Sequence, residues 1–595
     1  MFLMPKGELR SIIMSNKYTN EINVLIIIAL LKANGIRKVI ASPGATNVTF
    51  VASIQNDPFF DVYSSVDERS AAYIACGLAH ESAEPVVISC TGATASRNYL
   101  PGLTEAYYRK LPILAITSTQ AVSKVGHNVA QVIDRSMKPN DTQRHSVTLP
   151  IVKDDDDFWE CEIKANQAIL ELKRGGGGPV HINLPTSFSC SYETKKLPAC
   201  RVLNRFVAAD KLPELKGKVA VFVGAHRQFT LEETEVLDRF CSANNAVVFC
   251  DHTSSFKGKY RVLYSLVASQ DQMDLNAEKP DVTIHIGEVT GDYARIAVMG
   301  KEVWRVSEDG EIKDTFRKLK YVFEMDEKSF FQRYTDQSRT QTDQYLRECL
   351  TRLEDLRREI PEIPFSNLWV AACIAHKIPE GSVIHFGILN SLRSWNFFEL
   401  PDSVTSASNV GGFGIDGGLS SLLGASLADP CKLYFGIIGD LAFFYDMNAL
   451  GNRHAGNNLR IIVVNNGKGT EFRQYNHLAA HFGEQADEFI SASGHYGDKS
   501  PTLIKHYAED LGFKYISAAS KEEFSSVCGE FLTKDPGEKS VVFEVFTDSE
   551  DESRALEIIR NIKKDYRKVA KEAARRILGD KSVNAVKRMS KRGKL

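Results

Sequence analysis

The 595-residue chain predicts an α/β protein: three doubly wound parallel-sheet domains followed by a basic helical tail. Short apolar runs alternate with helix-spaced stretches along most of its length. The alternation restarts after two breaks, at Gly175–Gly178 with Pro185 and at Pro361-Glu-Ile-Pro364, and charge changes abruptly near Arg560. These features divide the chain at 15–195, 196–355, 356–549 and 550–595.

The first block opens with Ile22–Leu31, INVLIIIALL, inside a helix expected over Glu21–Asn34. The run is far short of the roughly 20 residues that cross a bilayer, so it reads as a buried helix. Strands follow at Lys38–Ala41, Phe60–Ser64, Pro85–Cys90, Pro112–Thr117 and Pro179–Leu184, with helices at Glu68–His80 and Ala95–Arg109. The run Asp154–Asp157 reads as a solvated loop. Val219–Gly224, Ala246–Cys250 and Val282–Gly287 are the apolar strands of the second block, closed by a charged helix over Asp343–Glu359. The third block holds strands at Tyr434–Gly439 and Ile461–Val464. Beyond it, Glu557–Leu578 has the spacing of an amphipathic helix with a basic face, within a tail carrying about eleven more basic than acidic side chains. That surface suits a sister subunit or an anionic surface.

Formal net charge is only −2, so the body upstream of the tail is acidic. Eleven cysteines without CxxC or CxxH spacing are neither a disulfide framework nor a zinc site. Met1–Ile13 lacks the small-residue cleavage site of a secretory signal. A cytoplasmic location is expected.

Three glycine-containing segments compete for phosphate chemistry. Gly412-Phe-Gly414-Ile-Asp-Gly417 fits GxGxxG, but the preceding Ser403–Asn409 is polar and does not read as the strand a dinucleotide site requires. Gly467-Lys-Gly-Thr470 has Ile462 where a Walker loop needs glycine. The third is Gly439-Asp440, closing one apolar strand, with Asn465-Asn466 closing the next about 26 residues after Asp440. Two parallel strands joined by a crossover bring Asp440 and Asn466 to one carboxyl edge, where α/β folds place ligands. A carboxylate and an amide oxygen there are hard ligands for Mg²⁺ or Ca²⁺, and such a cation carries a diphosphate.

This Gly-Asp and Asn-Asn pair resembles the diphosphate-binding motif of thiamine diphosphate (ThDP) enzymes, one residue shorter than its commonest form. Val66-Asp-Glu68-Arg-Ser-Ala-Ala72, Leu103–Thr117 and Gly178-Pro-Val-His-Ile-Asn-Leu-Pro185 resemble the pyrimidine-binding domain of the acetolactate synthase and decarboxylase superfamily. The resemblance implies pyrimidine-binding, middle and diphosphate-binding domains, and a homodimer or homotetramer with active sites between subunits. It implies ThDP held by Glu68, Asn390, Ser391, Gly414, Ile415, Gly439, Asp440, Leu441, Ala442, Asn466, Lys468 and Gly469. Mg²⁺ would sit on Asp440, Asn466 and the Lys468 carbonyl. Glu68 would be catalytic, driving the aminopyrimidine to the form that removes the thiazolium C2 proton, and Ile415 would bend the cofactor. The cofactor then takes up the electrons released when a 2-oxo acid loses CO₂.

Asn390-Ser-Leu-Arg393, Asn409–Gly417 and Gly439–Leu450 are most similar to the 2-succinyl-5-enolpyruvyl-6-hydroxy-3-cyclohexene-1-carboxylate synthase branch. Its arginines for anionic substrates are replaced by Ala45-Thr46, Gln120 and Val410, and lost bidentate contacts are not easily replaced. The expectation is therefore a smaller or less anionic pair: a 2-oxo acid donor such as pyruvate, and a carbonyl acceptor. Thr46, Thr91, Gln131, Arg393 and His477 are the polar side chains expected near substrate. Simple decarboxylation to an aldehyde, and a non-catalytic ThDP-fold scaffold or regulator, are the alternatives.

Overall fold

The computed structural model describes residues 17–276, 279–336 and 342–563. They form two compact units, residues 17–206 with 311–322, and residues 207–310 with 323–563.

The first unit holds a six-stranded sheet of β1 (Lys38–Ala41), β2 (Asp61–Ser64), β3 (Val86–Thr91), β4 (Ile113–Thr119), β5 (His145–Thr148) and β6 (Val180–Pro185), ordered β2-β1-β3-β4-β6-β5. Every adjacent pair runs parallel. β3 and β4 are apolar and buried along nearly their whole length, as central strands covered on both faces must be. The helix Ile22–Ala33 is buried almost all round, which is why its run is apolar without being a membrane span. Among the described residues no helix is long and apolar enough to cross a membrane.

Two expectations need correction here. The helix expected over Ala95–Arg109 is two, Ala93–Asn98 and Leu100–Tyr108, joined at Tyr99. Pro101 lies in the first turn of the second, where its missing N–H costs nothing; further inside it would break the ladder. Asp154–Asp157 is no loop. Asp154 caps the helix Asp155–Glu171 by accepting the Asp156 and Asp157 N–H groups, and the other three carboxylates occupy its first turn, where the helix dipole favours them.

A second sheet has β7 (Asn204–Val207), β8 (Val219–Val223), β9 (Ala246–Cys250), β10 (Arg261–Leu263), β11 (Val282–Ile286), β12 (Glu302–Ser307) and β13 (Leu319–Glu324). Its five strands within the second unit run in the order β10-β9-β8-β11-β12, all parallel.

The third sheet comprises β14 (Val383–Phe386), β15 (Thr405–Ser408), β16 (Tyr434–Gly439), β17 (Leu459–Asn465), β18 (Lys514–Ala518) and β19 (Val541–Phe546), ordered β15-β14-β16-β17-β19-β18. All pairs are parallel. The topology repeats that of the first sheet, so both reverse strand order between their first and third strands. The polar stretch before the glycine-rich segment is the strand β15 after all. It lies at the sheet edge, where a strand carries no apolar signature. The helix after it, Gly418–Ser426, completes a strand-loop-helix unit that the polar composition concealed. The last described helix, Ser549–Arg560, ends at Asn561 inside the helix expected over Glu557–Leu578, so that helix is not continuous from Glu557; its remainder lies outside the described residues from 564 onward.

β17 is buried at all seven positions and pairs on both sides, so it is the keel of this domain. Ile462→Ala, at a fully buried position on β17, is expected to cost about 3 kcal/mol, read as a lower denaturant midpoint for the second unit.

Candidate active site

In the second unit the β16–β17 register places Gly439 opposite Val464, so the residues that follow each strand emerge together at the carboxyl edge. Gly439 is extended, and Asp440 begins the helix Asp440–Asp446. Asp440 is 4% exposed. Its Oδ2 accepts the Gly467 N–H at 3.0 Å, and the same N–H reaches Asn465 Oδ1 at 3.2 Å. Burial pushes the Asp440 carboxyl up to about 7, and no cationic side chain offsets that burial.

The two asparagines divide into different roles. Asn465 is locked by its amide, which donates to Glu544 Oε1 at 2.6 Å, on a carboxylate that also accepts from the Tyr515 hydroxyl at 2.7 Å. Asn466 Oδ1 is buried and has no hydrogen-bond partner among the described residues. An orphaned amide oxygen is costly. Lys468 gives its ammonium to Asp487 at 2.8 Å, which leaves its carbonyl as what it can offer a ligand.

These groups line a cavity of about 220 Å³. Every residue of the second unit that the sequence nominates for the cofactor borders it: Asn390, Ser391, Gly414, Ile415, Gly439, Asp440, Leu441, Ala442, Asn466, Lys468 and Gly469. Gly439 borders this space, and a Cβ built on it would meet no atom within 4 Å. A desolvated carboxylate and an orphaned amide oxygen at one edge fit a divalent cation, which supplies the missing charge to the first and a Lewis acid to the second.

A second cavity, of about 360 Å³, adjoins the first through Asn390, Glu471 and Glu552 and is bordered by Arg393 and His477. Arg393, expected as a substrate-facing cation, is instead paired. Its Nη1 donates to Glu471 Oε1 at 2.6 Å, and the guanidinium stands 5.7 Å from the centre of the Tyr293 ring. The Asn390 amide, oriented to suit its neighbour, donates to Glu471 Oε2 at 2.7 Å. His477 caps the following turn by accepting the Ala479 N–H at 3.0 Å and meets the Phe472 ring edge-on.

Glu471 and Glu552 were not nominated by sequence. Glu471 lies five residues beyond Asn466 and could have been found by extending the motif. Glu552 sits in an acidic run that reads as solvated, yet it is 4% exposed and accepts the Asn367 N–H at 2.8 Å. Burial pushes it up to about 7.

The first unit brings together two of its four nominated residues. Thr46 is buried, hydrogen bonded to the Thr91 hydroxyl, and donates to the Ser118 carbonyl at 2.7 Å. A Cβ on Gly44 would approach Thr91 Cβ to 2.9 Å, so the turn after β1 needs glycine there to close on the end of β3. Glu68 opens the helix Glu68–Ser82 behind the Asp67 cap, and the Asn98 amide donates to its Oε2 at 3.1 Å. Gln131 is exposed, with φ +63°, and joins neither group.

Residues 24–137 match the family model for the thiamine pyrophosphate enzyme, N-terminal TPP binding domain. Similar curated proteins are 2-succinyl-5-enolpyruvyl-6-hydroxy-3-cyclohexene-1-carboxylate synthases. That of Bacteroides fragilis is 30% identical over 573 residues, covering 91% of this chain and 98% of its own length. That of Bacteroides thetaiotaomicron is 30% identical over 567 residues with the same coverage, and that of Phocaeicola vulgatus 29% over 562. The chain belongs to the thiamine diphosphate enzyme family. As a ThDP enzyme it carries the cavity and the Asp440–Asn466 edge in its second unit and Glu68 in its first.

Two outcomes follow from these environments. Asn466→Ala removes an oxygen that bonds nothing among the described residues, so the apo variant should unfold within about 1 kcal/mol of the parent while losing the stabilisation that Mg²⁺ with ThDP confers, read by thermal unfolding with and without both. Glu552 is raised in the fold relative to its value of about 4.3 in an unfolded chain, so the folded state holds the extra proton between those values and stability falls as pH rises through that window. Glu552→Gln should flatten part of that fall and raise the midpoint at pH 8, with little change at pH 4, in thermal scans against pH.

Proposed function

We propose that this ThDP enzyme is a Mg²⁺-dependent carboligase that decarboxylates a 2-oxo acid and transfers the acyl unit to a carbonyl acceptor. The observation that carries the reading is the buried Asp440 carboxylate beside the orphaned Asn466 oxygen, at a cavity bordered by all the second-unit residues nominated for the cofactor. When bound, the cofactor supplies the nucleophilic carbon and the electron sink for decarboxylation.

The chain's own residues do the rest. Asp440, Asn466 and the Lys468 carbonyl would hold the cation and, through it, the diphosphate, with Gly439 leaving room for it. Ile415, half-buried on the cavity wall, would set the bend of the cofactor. Glu68 would hold the proton of the aminopyrimidine, oriented by the Asn98 amide. Glu552, a carboxyl that burial raises to about 7 at the junction of the two cavities, would hold or release a proton beside the cofactor's cavity.

The synthase name of the relatives supports transfer to an acceptor rather than simple release of an aldehyde. The Arg393–Glu471 pair supports a less anionic substrate in the adjoining cavity, because the guanidinium is already neutralised. A homo-oligomer as the working assembly is part of the proposal.

Purified protein with ThDP and Mg²⁺ should release CO₂ from at least one member of a 2-oxo acid panel and, with an aldehyde or ketone present, yield a ligated product by mass spectrometry. Glu68→Gln should lower kcat by about 10²–10⁴. A panel that gives neither CO₂ nor adduct overturns the reading.

A further inference from the structure

The first unit carries a second polar centre that the reaction leaves unused. Thr117 on β4 and Asn183 on β6 are register partners and share a face of the sheet near its carboxyl end. Arg135, from the irregular chain between β4 and β5, donates one terminal nitrogen to Thr117 Oγ1 and the other to Asn183 Oδ1. Lys138, three residues on, hydrogen bonds Ser146 Oγ, and its ammonium lies 2.7 Å from His181 Nδ1. The other ring nitrogen of His181 lies 2.7 Å from Thr117 Oγ1.

With the ammonium as donor, His181 Nδ1 accepts and Nε2–H donates to Thr117. Thr117 Oγ1 then accepts twice, and its own proton is free to donate. His181 is 6% exposed, and burial together with both cations holds it neutral. A neutral ring therefore lies between the half-buried Lys138 and the Thr117 hydroxyl to which the half-buried Arg135 donates. Burial lowers Arg135 to about 10 and Lys138 to about 8, and each side chain lies in the field of further cations, with no carboxylate contributing to either environment. Among the described residues neither forms an ion pair.

Buried charges in proteins are paired or they bind something. Here a guanidinium and an ammonium, with a hydroxyl donor between them, converge on one face of the sheet, along β4, β6 and β5. We propose that Arg135 and Lys138 form a binding site for a small oxyanion group, carboxylate or phosphoryl, seated against Thr117. The inference does not rest on the reaction proposed above. It returns to the first unit a cationic recognition element that the losses at Ala45-Thr46 and Gln120 had taken away.

The test is thermal unfolding of the full chain, without ThDP or Mg²⁺, titrated with sodium phosphate and separately with sodium pyruvate at ionic strength held constant by sodium chloride. A saturable rise in midpoint is expected with at least one anion. Phosphate alone assigns a phosphoryl group, pyruvate alone a carboxylate, and both a shared oxyanion site. Lys138→Met should weaken half-saturation at least about tenfold, and Arg135→Gln with Lys138→Met should abolish the response. The double variant also loses the hydrogen bonds to Thr117 and Asn183, so its response is read against its own midpoint in chloride; if it does not fold, Lys138→Met alone carries the comparison. No saturable shift with either anion, a shift that survives Lys138→Met unchanged, or a Lys138→Met variant destabilised in chloride overturns the proposal, the last by marking Lys138 as a structural cation.

Discussion

The fold of the second unit converges on one electrostatic deficit, the desolvated Asp440 carboxylate next to an amide oxygen that nothing among the described residues bonds. Neither group would be stable there without a reason. The carboxylate is raised because burial strips its water, and its only compensation is backbone N–H groups. The parallel pairing of β16 and β17 makes the deficit unavoidable: two central strands buried along their length deliver their carboxyl-end residues to one point whatever their side chains are. Glu544 sharpens the division of labour. By fixing Asn465 from within the sheet it leaves Asn466 as the residue with an unspent oxygen.

The same reasoning separates charge that organises from charge that recognises. In the second unit each guanidinium near the adjoining cavity is answered: Arg393 by Glu471 and Arg560 by Asp271 at 2.6 Å. In the first unit Arg135 and Lys138 have no carboxylate partner among the described residues. Paired cations fix geometry, and their charge is hidden from a substrate. Unpaired ones in a half-buried setting are where an anion gains most. On the proposed sites, substrate preference would depend less on how many arginines the chain has than on which of them have carboxylates.

The central strands were legible because buried parallel strands are nearly continuous apolar runs, and β9 and β1 fall where the sequence places them. The edge strand β15 was not, since TSAS carries the polar composition of a loop. The helix after β3 was misread as continuous because Pro101 reads as a breaker only once its register is known. Asp440 and Asn466 were found because the motif is local in sequence. Glu552, Arg135 and Lys138 were not, because an acidic helix start and a loop arginine and lysine look solvated until tertiary packing removes their water, and only the packed structure shows which of them keep a partner.

On this geometry a divalent cation on Asp440 and Asn466 would carry the diphosphate of the cofactor. Calorimetric titration of ThDP into metal-free protein, with and without Mg²⁺, tests it most directly. Saturable binding is expected with Mg²⁺, weakening by well over about tenfold in its absence, the loss of one charge-assisted contact or more. Equal affinity in the two titrations would contradict it.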